Sequence, residues 1–413
     1  MQTQIASRYR GLPATAEAEE VLRSCVHCGF CNATCPTYRL TADELDGPRG
    51  RIYQIKQVLE GEPPGAAIRR HLDRCLSCRA CETTCPSGVD YHRLLDIGRE
   101  LVEREGRRPL LQRWQRRLLA WGLSDRQRVR GLLSLAGLVR PLLPARLRRQ
   151  LPRAAHTTVT TPRTHERRML LLDGCVQPAT TPQINARTIG LFDRLGIELR
   201  IVAEAGCCGA LHHHLGDGAQ ARRKARANID AWWPLLQQGA EAIVVTASGC
   251  APMVKDYGVL LQDDPRYAER AARVASLTRD LAEVLAAEDL SPLDTSAPRR
   301  IAFHSPCSLQ HAQKLDGVVE GILRRLGFEL VPVRDAQLCC GSAGTYSILQ
   351  PRFAERLRRD KLEQLQRGQP QLIATANIGC LLHLQPHAGV PVVHWVELLT
   401  ADREPALGLP PPP

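Results

Sequence analysis

The sequence has no run of about 18 consecutive apolar residues, the length that indicates a membrane-spanning helix. Residues 1–20 contain no apolar core segment, so we expect no secretory signal peptide. Neither G-x-G-x-x-G after a strand-like run nor G-x-x-x-x-G-K-S/T occurs, so we expect no flavin, nicotinamide or nucleotide site on this chain. We therefore expect a cytoplasmic protein, whose 16 cysteines bind metal or take part in redox chemistry rather than form disulfides.

Lysine is absent from residues 107–153, which contain thirteen arginines and one acidic residue, Asp125. This segment alone accounts for the formal excess of +12. Its apolar residues recur at three- and four-residue spacing, at Leu111, Trp114, Leu118 and Trp121. The spacing predicts an amphipathic helix, either packed on the chain's own domains or an acidic partner subunit, or lying on an anionic membrane. No DNA- or RNA-binding motif accompanies it, so we expect no nucleic-acid partner.

Two cysteine runs repeat at an offset of 50 residues, "CVHCGFCNATCP" at 25–36 and "CLSCRACETTCP" at 75–86. The spacing C-x2-C-x2-C-x3-C-P is that of bacterial ferredoxins, in which the fourth cysteine ligates the other cluster. Zinc sites pair two C-x2-C units and do not use a third cysteine in this way, so we favour two 4Fe–4S clusters. We assign the first cluster to Cys25, Cys28, Cys31 and Cys85. We assign the second cluster to Cys75, Cys78, Cys81 and Cys35.

The remaining chain is an internal repeat. "RRMLLLDGC" aligns with "RRIAFHSPC", "EAGCCGA" with "AQLCCGS", and "IVVTASGC" with "LIATANIGC". Buried strand-like runs alternate with helical patterns, which predicts parallel βαβ units with cysteines after the strands, where open sheets bind ligands. The predicted fold is α+β: a small, mainly helical two-cluster ferredoxin-like domain, then two α/β domains with parallel sheets. The predicted segments are 1–105 (clusters), 106–165 (arginine-rich helix and linker), 166–290 and 299–400 (the two halves).

Each half resembles the cysteine-rich CCG domain. Two ferredoxin runs followed by two CCG domains are similar to the iron–sulfur subunits of glycolate oxidase, anaerobic glycerol-3-phosphate dehydrogenase, and related lactate-utilisation and heterodisulfide reductase proteins. "CVHCGFCNATCPTY", "DELDGPRGRIY", "HLDRCLSCRACETTCPSGV" and "NIDAWWP" resemble the glycolate oxidase subunits most. The resemblance implies two FAD-binding partner subunits that oxidise glycolate to glyoxylate. It also implies electron transfer through this subunit toward quinone or another membrane acceptor, with the chain peripheral on the inner face of the cytoplasmic membrane.

The halves depart from the fuller CCG pattern, because Ala247 and Asn377 occupy the first position of the expected C-x-x-C. Each half keeps four cysteines as candidate ligands of a further metal or cluster: Cys175, Cys207, Cys208, Cys250, Cys307, Cys339, Cys340 and Cys380. Packing of thiols at strand ends is the alternative. A glycine after each pair, Gly209 or Gly341, permits the turn that gathers adjacent sulfurs at one site.

Other polar residues near the motifs have competing interpretations. His212, His213 and His214 follow the first CCG and are either ligands or part of a surface loop. Glu44, Asp46 and Arg49 either tune a cluster or form the solvated start of a helix.

Three functions compete. The first is the electron-transfer subunit described above, with a lactate or glycerol-3-phosphate dehydrogenase subunit as its variant. The second is a self-sufficient thiol or disulfide reductase with a metal site in the CCG halves. The third is an iron–sulfur regulatory protein.

Overall fold

The computed structural model describes residues 1–11, 13–106, 108–142, 144, 157, 163–293 and 300–399. Most of the linker expected before residue 165 lies outside these described residues. The described chain divides into two compact units. The first unit contains 1–120, 211–218 and 337–361, and the second contains the described residues of 121–210, 219–336 and 362–413.

Helices dominate the first 140 residues. They are Pro13–Ser24, Phe30–Ala33, Pro36–Thr41, Pro48–Leu59, Ala66–Asp73, Ala80–Thr84, Tyr91–Glu105, Leu110–Leu123 and Arg126–Val139. Short 3-10 turns occur at Ser7–Tyr9, Glu44–Asp46 and Arg140–Leu142. Leu22, Ile55, Leu59, Leu94 and Leu95 are fully buried where the long helices pack, and Cys25 and Cys81 belong to the same core. The cysteine runs therefore lie on a helical scaffold, as predicted.

The second unit contains two four-stranded parallel sheets. The first sheet has the order β2-β1-β3-β4, with β1 Arg167–Leu171, β2 Ile197–Ile201, β3 Ile243–Val245 and β4 Thr278–Asp280. The second has the order β6-β5-β7-β8, with β5 Arg300–His304, β6 Glu329–Leu330, β7 Leu372–Thr375 and β8 Val392–His394. All six strand pairings are parallel. The predicted α+β class, with a parallel sheet in each half, is confirmed.

Further helices lie between the strands along the chain. In the first half they are Gln177–Thr180, Gln183–Arg194, Ala210–His214, Gly218–Gln237, Ala251–Lys255, Tyr257–Leu260, Ala268–Leu277 and Leu281–Ala287. In the second half they are Val318–Arg325, Tyr346–Leu349, Pro351–Gln366 and Ile378–Leu384, with a π-helical turn at Ser308–Ala312 and 3-10 turns at Gln385–His387 and Trp395–Leu399.

The two halves contact each other through their repeated strand-end segments, 246–250 and 375–380. The Ser248 N–H donates to the Ala376 carbonyl at 3.1 Å, and the Gly249 N–H donates to Asn377 Oδ1 at 3.2 Å. His394 Nε2 lies 3.0 Å from the Thr246 carbonyl oxygen. Equivalent parts of the repeat therefore meet within the second unit.

Candidate metal centres

The two cysteine loops fold alike. Left-handed backbone occurs at positions 50 residues apart in His27 (φ 62°), Ser77 (φ 53°), Gly29 (φ 86°) and Arg79 (φ 60°). Cys35 and Cys85 are both extended, with φ −79° and −74° and the same ψ of 116°. The Thr34 hydroxyl donates to the Ala80 carbonyl at 3.2 Å and ties one run to the other. The repeated spacing therefore corresponds to a repeated local conformation.

Five cysteines from the two runs line one cleft, and four of them are those assigned to the first cluster. The four are Cys25, Cys28, Cys31 and Cys85, and the fifth is Cys81. Burial raises the pKa of the Cys31 thiol to about 11, and the nearby Cys25 and Cys85 sulfurs add to this shift. Like charges raise a thiol pKa only at short range, so these sulfurs lie near one another. Cys85 is therefore brought to the loop that begins 60 residues earlier.

The other four cysteines form a second set. Burial raises the pKa of the Cys81 thiol well above its usual value, and the nearby sulfurs of Cys78, Cys75 and Cys35 add to this shift. The Cys75 sulfur accepts the Ser77 N–H at 3.5 Å and the Tyr91 hydroxyl at 3.7 Å. Hydrogen bonds of this kind stabilise a thiolate, the form that binds iron.

A buried charged network surrounds Cys35. Asp46 is completely buried, so its interpretation as part of a solvated helix start is wrong. Its carboxylate lies 2.8 Å from His71 Nδ1 and 2.8 Å from the Arg74 guanidinium. Arg51, also buried, donates to Thr37 and to the His71 carbonyl, and its Nη1 lies 3.9 Å from Cys35 Sγ. Burying these charges requires the pairing that the network supplies.

Glu44 and Arg49 differ from Asp46, because both are partly exposed and pair with each other at 2.6 Å. Asn32 also donates to the Glu44 carboxylate, at 2.8 Å. The solvated interpretation therefore holds for this pair alone.

The cysteines of the first CCG half form a chain of contacts. Cys175 hydrogen bonds with Cys207, Cys207 with Cys208, and Cys208 with Cys250. The hydrogen bonds from Cys175 and Cys208 lower the pKa of the Cys207 thiol well below its usual value, and the Gly209 N–H contributes at 3.5 Å. The four sulfurs therefore share one small, mostly buried site, with Cys207 as its preferred thiolate.

A polar cradle supports this site. The Tyr257 hydroxyl donates to the Cys208 carbonyl at 2.8 Å, and the buried Asn228 amide donates to the Cys207 carbonyl at 3.1 Å and to Tyr257 at 3.0 Å. The Gly206 N–H donates to Asn228 Oδ1 at 2.8 Å. The backbone of the cysteine pair is thus held at both residues.

The predicted glycine turns are present in both halves. Gly209 has φ 93° and Gly341 has φ 91°, a left-handed conformation that disfavours other residues. A Cβ on Gly341 would lie 2.7 Å from the Ala354 carbonyl oxygen. In each half the glycine N–H donates to the sulfur of the first cysteine of the pair, at 3.5 Å and 3.4 Å.

The cysteines of the second half belong to different units. Cys339 and Cys340 lie in the first unit, and Cys307 and Cys380 lie in the second. Asn377, at the position of the missing cysteine, donates from Nδ2 to Cys380 Sγ at 3.5 Å. His304 offers a ring nitrogen within 4.8 Å of that sulfur. The departure from C-x-x-C therefore replaces a thiol with an amide that holds Cys380.

Sequence reasoning did not single out His304, Arg51 or Asn228. A signal for His304 exists in the aligned halves, because "AFHSPC" places it opposite Leu172 of "LLLDGC". No comparable signal marks Arg51, one arginine among several in a charged helix.

The histidine run has carboxylate partners in the first unit. His213 Nε2 lies 2.9 Å from Asp96, and His212 Nδ1 lies 3.3 Å from Asp217. His212 is buried and His213 is half-buried, whereas His214 is exposed. The run forms part of the short helix Ala210–His214 and not a loop, and only His214 lies at the surface.

The predicted amphipathic helix is Leu110–Leu123, and its apolar stripe faces solvent. The exposed fractions are 82% for Leu111, 68% for Trp114, 65% for Leu118 and 53% for Trp121. The interpretation that this stripe packs on the chain's own domains is therefore wrong for these four side chains. Among the arginines of this helix, Arg116 is the exception, because it is mostly buried and pairs with Asp73 at 3.2 Å. Among the described residues, no helix combines the length and apolar character needed to cross a membrane.

The donor sets fit iron–sulfur clusters. Cysteine thiolates are the ligands of 4Fe–4S clusters, and the first cleft gathers four of them from two loops of equal conformation.

Comparisons with known proteins agree with this geometry. Residues 21–89 match a 4Fe-4S dicluster domain, and residues 169–255 and 301–385 each match the cysteine-rich domain CCG. The first match confirms the two expected 4Fe–4S clusters, and the second confirms the paired CCG domains.

Several curated proteins are similar to this chain. The glycolate oxidase iron–sulfur subunit of Escherichia coli is 51% identical over 98% of this chain and 100% of its own length. The probable glycolate oxidase iron–sulfur subunit of Bacillus subtilis is 31% identical over 89% of each chain. Lactate utilization protein A of Geobacillus thermodenitrificans is 30% identical, over 52% of this chain and 91% of its own. The chain therefore belongs to the family of glycolate oxidase iron–sulfur subunits.

Proposed function

We propose that this chain is the electron-transfer subunit of a glycolate-oxidising complex with a quinone-type acceptor. Two FAD-binding partner subunits oxidise glycolate to glyoxylate, and their electrons pass through this chain toward a membrane quinone. The convergence of Cys25, Cys28, Cys31 and Cys85 on one cleft carries the proposal, because it provides a complete ligand set for an electron carrier. Full-length similarity favours glycolate over lactate, since the lactate utilization proteins match only about half of the chain.

The cluster assignment is part of this proposal. Cys25, Cys28, Cys31 and Cys85 hold the first cluster, and Cys75, Cys78, Cys81 and Cys35 hold the second. Bound 4Fe–4S clusters supply one-electron carriers, whose potentials depend on nearby charge, hydrogen bonds and solvent. The chain's residues position the thiolates, exclude water and set the local charge.

We also propose a metal-binding role for the CCG cysteines. In the first half, the shared site of Cys175, Cys207, Cys208 and Cys250 supports it, because four thiols are a typical ligand set for zinc or an iron–sulfur centre. Cys307, Cys339, Cys340 and Cys380 are the corresponding candidates in the second half. Metal analysis of the full chain should find metal beyond the about eight iron atoms of two 4Fe–4S clusters.

A peripheral membrane contact completes the proposal. The exposed stripe of helix Leu110–Leu123 lies beside the exposed arginines Arg113 and Arg117, a combination that suits an anionic lipid surface. Electron delivery to a membrane quinone favours this occupant over an acidic subunit. We place the chain in the cytoplasm, at the inner face of the cytoplasmic membrane, where reduced thiols persist.

Purification of the chain with and without its partners tests the function. The complex should contain two flavoproteins and reduce a soluble quinone analogue when glycolate is added. The isolated chain should contain iron and sulfide, no flavin, and no glycolate-dependent dye reduction, because hydride-type oxidation needs a two-electron cofactor. Substantial glycolate oxidation by the pure, partner-free chain would falsify the proposal.

A further inference from the structure

The second cluster site has a buried positive charge beside one of its ligands. The Arg51 side chain is 1% exposed, and its Nη1 lies 3.9 Å from Cys35 Sγ. Its Nη2 donates to the Thr37 hydroxyl at 3.0 Å, and that hydroxyl lies 3.3 Å from the same sulfur. A guanidinium remains charged at any accessible pH, so the charge at this sulfur is permanent.

Asp46 balances this charge only in part. Its carboxylate is shared among Arg74 at 2.8 Å, His71 at 2.8 Å and Arg51 at 3.8 Å. Two guanidinium groups thus face one carboxylate, which leaves a net positive charge; Arg51 is the buried one of the two, and Arg74 is partly exposed. The carboxylate contacts no described cysteine sulfur in these hydrogen bonds, whereas the guanidinium does.

The first cluster site has no equivalent buried charge among the described residues of its cleft. Arg49 lies there, but its side chain is 33% exposed and is neutralised by Glu44 at 2.6 Å. Its Nη1 donates to the His27 carbonyl oxygen at 3.5 Å. Solvent screens such an exposed pair strongly.

We propose that Arg51, with Thr37, makes the reduction potential of the second cluster more positive than that of the first. This inference rests on the cluster assignment of the proposed function. Reduction adds one negative charge to a cluster, and a nearby buried cation stabilises the reduced form more than an exposed, paired one does. Arg51 is thus a positioning residue that sets a potential, and it contacts no substrate.

Two tyrosines also lie near the second cluster site. The Tyr91 hydroxyl donates to Cys75 Sγ at 3.7 Å, and hydrogen bonds to sulfur also raise cluster potentials. Tyr346, which is buried, has its pKa raised mainly by burial, and the charges that reach it include Arg51, Cys75 and Cys339. Cys339 of the second CCG therefore lies near this cluster's surroundings within the first unit. The cluster with the more positive potential is therefore the one whose surroundings include Cys339.

Redox titration followed by electron paramagnetic resonance tests the inference on the anaerobic full-length chain. Arg51→Met should lower the midpoint of the second cluster by at least a tenfold change in its reduction equilibrium, about 59 mV for one electron. Thr37→Val should lower it in the same direction by less. Arg49→Met, which removes an exposed guanidinium from the same helix, is the matched control and should leave the second cluster unchanged.

Cys78→Ser identifies the second cluster, because it should remove the signal with the more positive midpoint. Removal of the more negative signal, or no shift in Arg51→Met and Thr37→Val, overturns the inference while two clusters per chain still support the function. If Arg51→Met assembles no clusters, Thr37→Val decides alone: a lowered midpoint supports the inference and an unchanged one overturns it. A wild-type chain without two 4Fe–4S signals overturns the function and the inference together.

Discussion

At the scale of single residues, the position of Cys85 has the clearest consequence for cluster binding. It lines the same cleft as Cys25, Cys28 and Cys31, although three cysteines of its own run lie closer in sequence. The backbone at Cys85 is extended and Pro86 follows directly, so the chain leaves the loop at this point. A proline at this position directs the fourth sulfur away from its own run.

Replacement of Cys85 with serine should therefore damage the first cluster and spare the second. We expect iron to fall from about eight to about four per chain, because each cubane holds four. Cys35→Ser is the matched variant and should remove the second cluster instead. Iron analysis with paramagnetic resonance of the remaining cluster measures both results, and a Cys85→Ser chain that retains only the first cluster contradicts the crossed assignment.

The burial of Asp46 and Arg51 could not be predicted from the sequence. The grouping of Cys25, Cys28, Cys31 and Cys85 around one cleft was predictable, because the spacing of the cysteine runs indicates a shared site. The burial of Asp46 was not, because two of its partners, His71 and Arg74, lie 25 and 28 positions later and come near only in the folded chain. A charged residue in a polar stretch is usually solvated, and tertiary pairing overrides that expectation here.

At the scale of elements, the helix Leu281–Ala287 depends on its first capping residue. Asp280 Oδ1 accepts the Ala282 N–H at 3.0 Å, Glu283 accepts the Asp280 N–H at 2.7 Å, and Gln313 donates to Asp280 Oδ2 at 2.8 Å. These hydrogen bonds form a capping box at the N-terminus of the helix, directly after β4. Burial raises the pKa of Asp280 to about 6.

The raised pKa predicts a pH dependence with a definite sign. Because the folded pKa exceeds the unfolded value of about 3.9, the stabilisation is complete below that value and is lost as the pH rises through 6. Between pH 5 and 7 the wild type should lose about 1 kcal/mol of unfolding free energy relative to Asp280→Asn, which still caps the helix. Denaturant unfolding at both pH values measures this; parallel pH profiles would contradict the prediction.

Elements were easier to predict than their surroundings. The parallel strands followed from buried apolar runs that alternate with helical patterns, and the structure has one such sheet in each half. The role of Asn377 was not predictable, because its hydrogen bond to Gly249 joins residues 128 positions apart.

At the scale of the whole molecule, the arginine-rich helix predicts a salt-sensitive association with anionic lipid. Arg113→Glu with Arg117→Glu should release the protein from vesicles that contain anionic lipid, because exposed charges attract the surface at roughly 1 kcal/mol each. Binding should also weaken as salt rises. Arg116 is left unchanged, since it is paired with Asp73.

Vesicle sedimentation at low and high salt measures this binding, with cluster absorption as the check that the variant is intact. Trp114→Ala is a companion variant that keeps every charge. It should weaken binding to the vesicles by an amount that depends little on the salt concentration. Equal binding of the double glutamate variant and the wild type would favour an acidic partner subunit as the occupant of this helix.

In the proposed crossed ligation, the two clusters close nested loops of the chain. The first joins Cys25 to Cys85, and the second joins Cys35 to Cys75 inside that span. Once one cluster has formed, the cysteines that bind the other cluster are already held near one another. Formation of the second cluster therefore costs the chain less conformational entropy. During maturation, a chain that has acquired one cluster should therefore acquire the second more readily than an empty chain acquires its first.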